Sequence, residues 1–94
     1  MTRAQHVVVV GGGIAGLCAA ASLAHSGRRV TVFEAQEEVG GKARQVPSEA
    51  GPVDAGPTVF TMRPVFEEFF ASIGSELDEN VRLRSAEVLA RHYW

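Results

Sequence analysis

Cysteine is nearly absent from these 94 residues: Cys18 stands alone. With no second cysteine there is no internal disulfide, and a reducing, cytoplasmic setting is expected. The Ala-rich stretch around Cys18 offers no electropositive neighbour to activate its thiol, so the residue is read as a small packing hydrophobe. The three histidines, His6, His25 and His92, have no ligand-like spacing with one another or with Cys18, and no metal site is expected. An excess of positive charge is missing too. Nine basic residues against eleven acidic ones leave a net charge of −2, and the basic residues are scattered, which excludes nucleic acid as an expected partner.

A long apolar run without interruption is also lacking. Residues 7–24 carry no charge, follow Arg3 and include Ala19, Ala20 and Ala21, features shared with secretory leaders and membrane spans. Four glycines interrupt that run, however, and each costs a helix about 1 kcal/mol relative to alanine. Residues 7–10 are all valine, which favours a strand. Neither repeats nor low-complexity segments occur. The length allows one domain at most, and the ending on Tyr93 and Trp94 in an apolar stretch leads us to expect an incomplete unit.

What is present is a strand–helix–strand pattern. Residues 6–10 form a continuous apolar run of strand length, expected to be covered on both faces in a parallel sheet. Residues 14–26 are rich in Ala and Leu, with Ile14, Leu17, Ala21 and Ala24 at helical spacing and Gly27 placed as a stop. Residues 30–33 make a second β-branched strand ending at Glu34. The fold class is therefore α/β, an incomplete Rossmann-like βαβ unit with a right-handed crossover. Residues 35–61 are predicted as loop. A helix is predicted from Arg63 and Pro64 to Gly74, with Phe60, Phe66, Phe69 and Phe70 as core. Residues 75–80 read as a polar turn, and residues 81–84 and 88–94 as strands.

Gly11, Gly13 and Gly16 spell G-x-G-x-x-G between the first strand and the helix. In that position the first glycine permits a tight turn, the second lets the backbone approach a diphosphate, and the third lets helix and strand pack closely. The diphosphate is expected on the helix N-terminus, over the free N–H groups of the turn that Ile14 and Ala15 open. Glu34 lies 18 residues beyond Gly16, at the end of the second strand. A carboxylate there accepts hydrogen bonds from adenosine ribose hydroxyls and repels a 2′-phosphate, which disfavours NADP.

Beyond Glu34, the stretch Gly40, Gly41, Lys42, Ala43 resembles the second glycine pair of amine-oxidase-like and phytoene-desaturase-like flavoproteins. That resemblance implies FAD, with Gly41, Lys42 and Arg44 near its diphosphate and ribityl chain. Lys42 stands where many relatives carry arginine, so a bidentate grip becomes a point-charge contact. Residues 54–62, DAGPTVFTM, resemble the D-x-G-P-T-x-x-T-M stretch of carotenoid desaturases. The resemblance implies that Gly56, Pro57 and Thr58 lie beside the isoalloxazine. Arg63, the Phe-rich helix and residues 90–94 are similar to the branch that desaturates hydroxy- and methoxy-carotenoids at the 3,4 position. This chain is thus expected to be the amino-terminal part of an FAD-binding domain, without the substrate domain. The whole enzyme would take an apolar carotenoid from the membrane as a peripheral protein of the cytoplasmic side of the inner membrane. Other flavin amine-oxidase relatives, and an inert nucleotide-binding fragment, remain open at this point. No catalytic acid or base is assigned.

Overall fold

The structure, a computed structural model, describes residues 5–57 and 59–94. They fall into two compact units, Met1–Thr58 and Val59–Trp94.

In the first unit, β1 (His6–Val10) and β2 (Arg29–Phe33) pair in parallel, from His6 opposite Arg29 to Val10 opposite Phe33. The helix α1 (Ile14–His25) connects them, so the expected βαβ unit is present. α1 stops as predicted. Gly27 takes φ +93°, and the N–H groups of Gly27 and Arg28 donate to the carbonyls of Ala24 and Leu23. These are the paired bonds of a Schellman ending, which satisfy carbonyls the helix itself leaves free.

Burial differs from the expectation in two ways. The inward stripe of α1 centres on Ala20, 8% exposed, with Gly16, Leu17 and Ala21 half-buried around it, while Ile14 and Ala24 are exposed. The small residues face the sheet because close helix–strand approach leaves no room for larger ones. The sheet is also covered on one face only. Val7, Val9, Val30 and Val32 are half-buried, whereas Val8, Val10 (86% exposed) and Phe33 on the opposite face are open. One helix can cover only one side of a two-stranded sheet, and double coverage needs a second layer.

The predicted 35–61 loop contains a small antiparallel ladder, β3 (Gln45–Val46) with β4 (Val53–Asp54). Gln45 Nε2 donates to Asp54 Oδ1 at 3.0 Å across it. Two-residue strands lie below the length at which alternation is readable, which is why the glycines and prolines dominated the sequence signal.

In the second unit, α2 (Arg63–Ser72) has Pro64 in its first turn and ends before Gly74 with the same paired bonds, from Gly74 to Ala71 and from Ser75 to Phe70. Its N-cap, Met62, is left-handed at φ 56°, ψ 45°, with no side-chain cap. Residues 75–80 are not simply a turn. They include α3 (Leu77–Asn80), anchored by Leu77 at 3% exposure and by Asn80 Nδ2, which donates to Ser75 Oγ and the Glu76 carbonyl. Arg63 ties the two helices, bonding Glu67 Oε1 at 2.6 Å and Asp78 Oδ1 at 2.8 Å. The expected Phe core is looser than predicted. Phe66, Phe69 and Phe70 are half-buried and Phe60 is exposed. Instead, Phe60 packs on Phe66 with centroids 4.4 Å apart, and Phe69 meets Phe70 edge-on at 5.3 Å. Residues 81–84 and 88–94 form no ladder. A strand is held by its neighbours, and none of the described residues pairs with these.

Candidate functional site: the glycine cradle

The site is built at the carboxyl ends of β1 and β2, where the chain turns into α1. Gly11, at φ +103°, makes the turn, and its N–H donates to the Phe33 carbonyl at 2.7 Å. Gly13 is the N-cap of α1 in extended conformation, with no side-chain cap, and its carbonyl accepts the Leu17 N–H at 2.9 Å. The N–H groups of Ile14, Ala15 and Gly16 therefore form the donor end of α1.

The three motif glycines have separable roles. A Cβ on Gly16 would overlap the Gly11 carbonyl oxygen, lie 3.0 Å from its carbon and 3.5 Å from Val9 Cγ1. That glycine is required by packing. A Cβ on Gly13 would meet only Gly41 Cα, at 3.9 Å. The protein does not need glycine there for its own packing, so the space beside Gly13 is available to a ligand. An open glycine at a helix N-terminus suits a diphosphate in both shape and charge.

The second glycine pair sits on the first loop. Gly40 N–H donates to the Gly12 carbonyl at 2.8 Å, and a Cβ on Gly41 would stand 3.1 Å from Gly13 Cα. Lys42 follows directly, exposed. The ion pairs among the described residues both belong to Arg63, so neither Lys42 nor Arg44 is engaged in one. Glu34 is held at the same place. Its Oε1 accepts the Gly12 N–H at 2.8 Å and its Oε2 the Gln36 N–H at 2.7 Å. The backbone N–H groups of Gln36 and Gly12 keep the carboxyl below the usual carboxylate range.

Gly11, Gly13, Ile14, Ala15, Gly16, Glu34 and Gly41 are thus brought together. Arg44, Gly56 and Pro57 belong to a second group around β3 and β4. Arg44 and Pro57 line a shallow depression with Glu38, Ala43, Gln45 and Asp54. A Cβ on Gly56 would overlap the Lys42 carbonyl oxygen, and the Ala55 N–H donates to the Arg44 carbonyl at 2.9 Å. Gly56 therefore has a packing role of its own, pinning the β4 exit against the chain beyond the glycine pair. Thr58 lies outside the described residues. Sequence reasoning missed Gly12 and Val39. Gly12 occupies a variable position of the motif, yet it is buried between Glu34 and Val39. A third consecutive glycine where the motif requires two was the available signal.

No helix among the described residues is long and apolar enough to cross a membrane. Hydroxyneurosporene desaturase of Cereibacter sphaeroides is 52% identical over 88 residues, covering 94% of this chain and 18% of that protein. The protein of the same name from Rhodobacter capsulatus is 51% identical over 94 residues, covering 100% of this chain and 19% of the relative. Phytoene dehydrogenase of Streptomyces griseus is 46% identical over 79 residues, with 84% and 16% covered. The resemblance to carotenoid desaturases read from residues 54–62 is thereby found along nearly the whole chain, which spans less than a fifth of the length of these relatives. The sequence pattern of the NAD(P)-binding Rossmann-like domain matches residues 9–73, from the end of β1 through α2 and the turn beyond it, and the chain belongs to that family of dinucleotide-binding domains.

Proposed function

We propose that this chain is the ADP-binding part of an FAD-dependent desaturase that introduces a carbon–carbon double bond into an acyclic hydroxy- or methoxy-carotenoid. The observation that carries the flavin reading is the seating of Gly40 and Gly41 on the Gly12–Gly13 backbone, which places a second glycine pair, followed by Lys42, at the donor end of α1. The likeness at about half identity to hydroxyneurosporene desaturases supports the substrate class.

In this reading the N–H groups of Ile14, Ala15 and Gly16 and the Lys42 ammonium bind the diphosphate. Glu34 keeps unused lone pairs on both oxygens, and these accept the ribose hydroxyls. Bound FAD would take a hydride from one carbon of the substrate as a proton leaves its neighbour. Gly56 and Pro57 would lie on the isoalloxazine side, with Arg44 assisting Lys42. A carotenoid is almost wholly apolar, so the full protein would work at the cytoplasmic face of the inner membrane as a peripheral protein. A second reading, a desaturase of phytoene itself, is favoured by the similarity to the phytoene dehydrogenase of Streptomyces griseus.

The test is expression of the full-length protein with either phytoene or a 1-hydroxy acyclic carotenoid, following polyene absorption. A red shift with the hydroxylated substrate alone supports the proposal. Turnover of phytoene moves the protein to the second reading, and no shift with either removes the carotenoid assignment.

A further inference from the structure

We propose that Gly12 and Glu34 form a clasp that shapes the nucleotide loop before any cofactor binds, which makes both of them positioning residues of the site. The Gly12 peptide is held on both sides: its N–H donates to Glu34 Oε1 at 2.8 Å and its carbonyl accepts the Gly40 N–H at 2.8 Å. The other Glu34 oxygen is fixed by the Gln36 N–H at 2.7 Å, so the carboxylate is anchored to the chain that follows β2 while it grips the loop that follows β1. Gly12 is buried, and a Cβ there would lie 3.0 Å from Val39 Cγ1 and 3.3 Å from Glu34 Cβ. Both glycine loops are therefore joined through one residue that is neither the turn glycine nor the diphosphate glycine.

The consequence is pre-organisation. A loop of consecutive glycines has more conformational freedom to lose than any other, and ordering it on binding would weaken the complex. Here the ordering is done by Glu34 within the folded protein. Each carboxylate oxygen accepts one N–H and retains another acceptor site, so the clasp leaves Glu34 able to receive a ribose. The inference rests on the flavin reading only for what the cradle holds, and the clasp itself is testable without cofactor.

The experiment is residue-resolved amide hydrogen exchange on the full-length protein stripped of cofactor, paired with FAD association rates. Protection of the Gly12 amide is expected in the cofactor-free parent. Glu34→Gln offers one oxygen where two N–H donors need acceptors, so exchange at Gly12 or at Gln36 should speed about tenfold or more while the amides of residues 7–9 and 30–32 stay unchanged. Gly12→Ala keeps Glu34 but presses on Val39. It should speed Gly40 exchange and slow FAD association, and adding Val39→Ala should restore both in part, since it removes the crowded methyl at 3.0 Å while the contact with Glu34 Cβ at 3.3 Å stays. Gly12 exchange in the parent as fast as in an exposed loop would overturn the clasp, as would unchanged exchange in Glu34→Gln. Should Glu34→Gln also loosen the strands, the alanine pair decides: faster Gly40 exchange with rescue supports the clasp, and its absence overturns it. A parent that shows this protection yet binds no FAD sinks the flavin reading and leaves the clasp standing.

Discussion

Replacing Gly16 and Gly13 separately by alanine tests whether the motif glycines serve packing or ligand. At Gly16 two effects oppose. Alanine is the better helix former by about 1 kcal/mol. Its Cβ, however, would overlap the Gly11 carbonyl oxygen and stand 3.0 Å from the carbonyl carbon. That obstacle is backbone, so relief requires moving the Gly11 turn or lifting α1 from β1 by an amount on the order of an ångström to regain an ordinary C···O contact. Overpacking of this kind costs about 1–3 kcal/mol, and the rigid obstacle puts it at the upper end. The net expectation is a loss of about 2 kcal/mol, since helix propensity offsets only a part. At Gly13 the Cβ meets nothing nearer than Gly41 Cα at 3.9 Å. Gly13→Ala should therefore leave the cofactor-free protein as stable as the parent or slightly more so, while intruding on the space assigned to the diphosphate. Denaturant unfolding of the cofactor-free full-length protein, together with FAD titration, separates the two. Gly16→Ala should unfold earlier, whereas Gly13→Ala should unfold with the parent but bind FAD weakly. A Gly13→Ala protein that binds FAD like the parent, or a Gly16→Ala protein of undiminished stability, would refute the division of roles.

Met62 is 70% exposed in a left-handed conformation that costs an L-residue roughly 1–2 kcal/mol. Met62→Asn tolerates that conformation, so thermal unfolding should shift upward by the equivalent of about 1 kcal/mol; a downward shift would contradict the strain. Leu77 is the buried anchor of α3, and Leu77→Ala should destabilise by about 2 kcal/mol, the lower end for such truncations because Leu77 is the one buried apolar side chain among the described residues of this unit. No loss in denaturant midpoint would show that α3 is not anchored there. Glu34 titrates below its ordinary value in the folded protein, so its contribution to stability is complete above pH about 4.3, the ordinary glutamate value. It is lost as pH falls through the lower folded value. The stability difference between parent and Glu34→Gln should accordingly be constant above that pH and shrink in more acid solution; a difference that grows on acidification would reverse the sign.

The βαβ unit was legible because three local signals agree: a β-branched run, a glycine-bounded Ala/Leu helix and a second β-branched run. The stops at Gly27 and Gly74 were legible for the same reason, since glycine at the end of an apolar helical stripe has a specific hydrogen-bonding use. What escaped depends on contacts between distant residues. The acidic residue at the end of the second strand is legible in the sequence, but the grip of Glu34 on Gly12 comes from the parallel register that brings the ends of β1 and β2 side by side. Gly56 was visible only through resemblance, and its fit against the Lys42 carbonyl depends on a ladder of two-residue strands too short to show a period. The expected coverage of both sheet faces, and the expected strands after α3, failed together. Each needs neighbouring strands or layers that the described residues do not provide.

The central claim is that this cradle holds FAD, and competitive titration measures it most directly: the full-length protein, stripped of cofactor, is offered FAD, NAD and NADP in turn, with binding followed by flavin fluorescence and by calorimetry. The account predicts stoichiometric, saturable FAD binding that Gly13→Ala weakens and that neither nicotinamide dinucleotide displaces. Saturable binding of NAD or NADP, with FAD excluded, would contradict it.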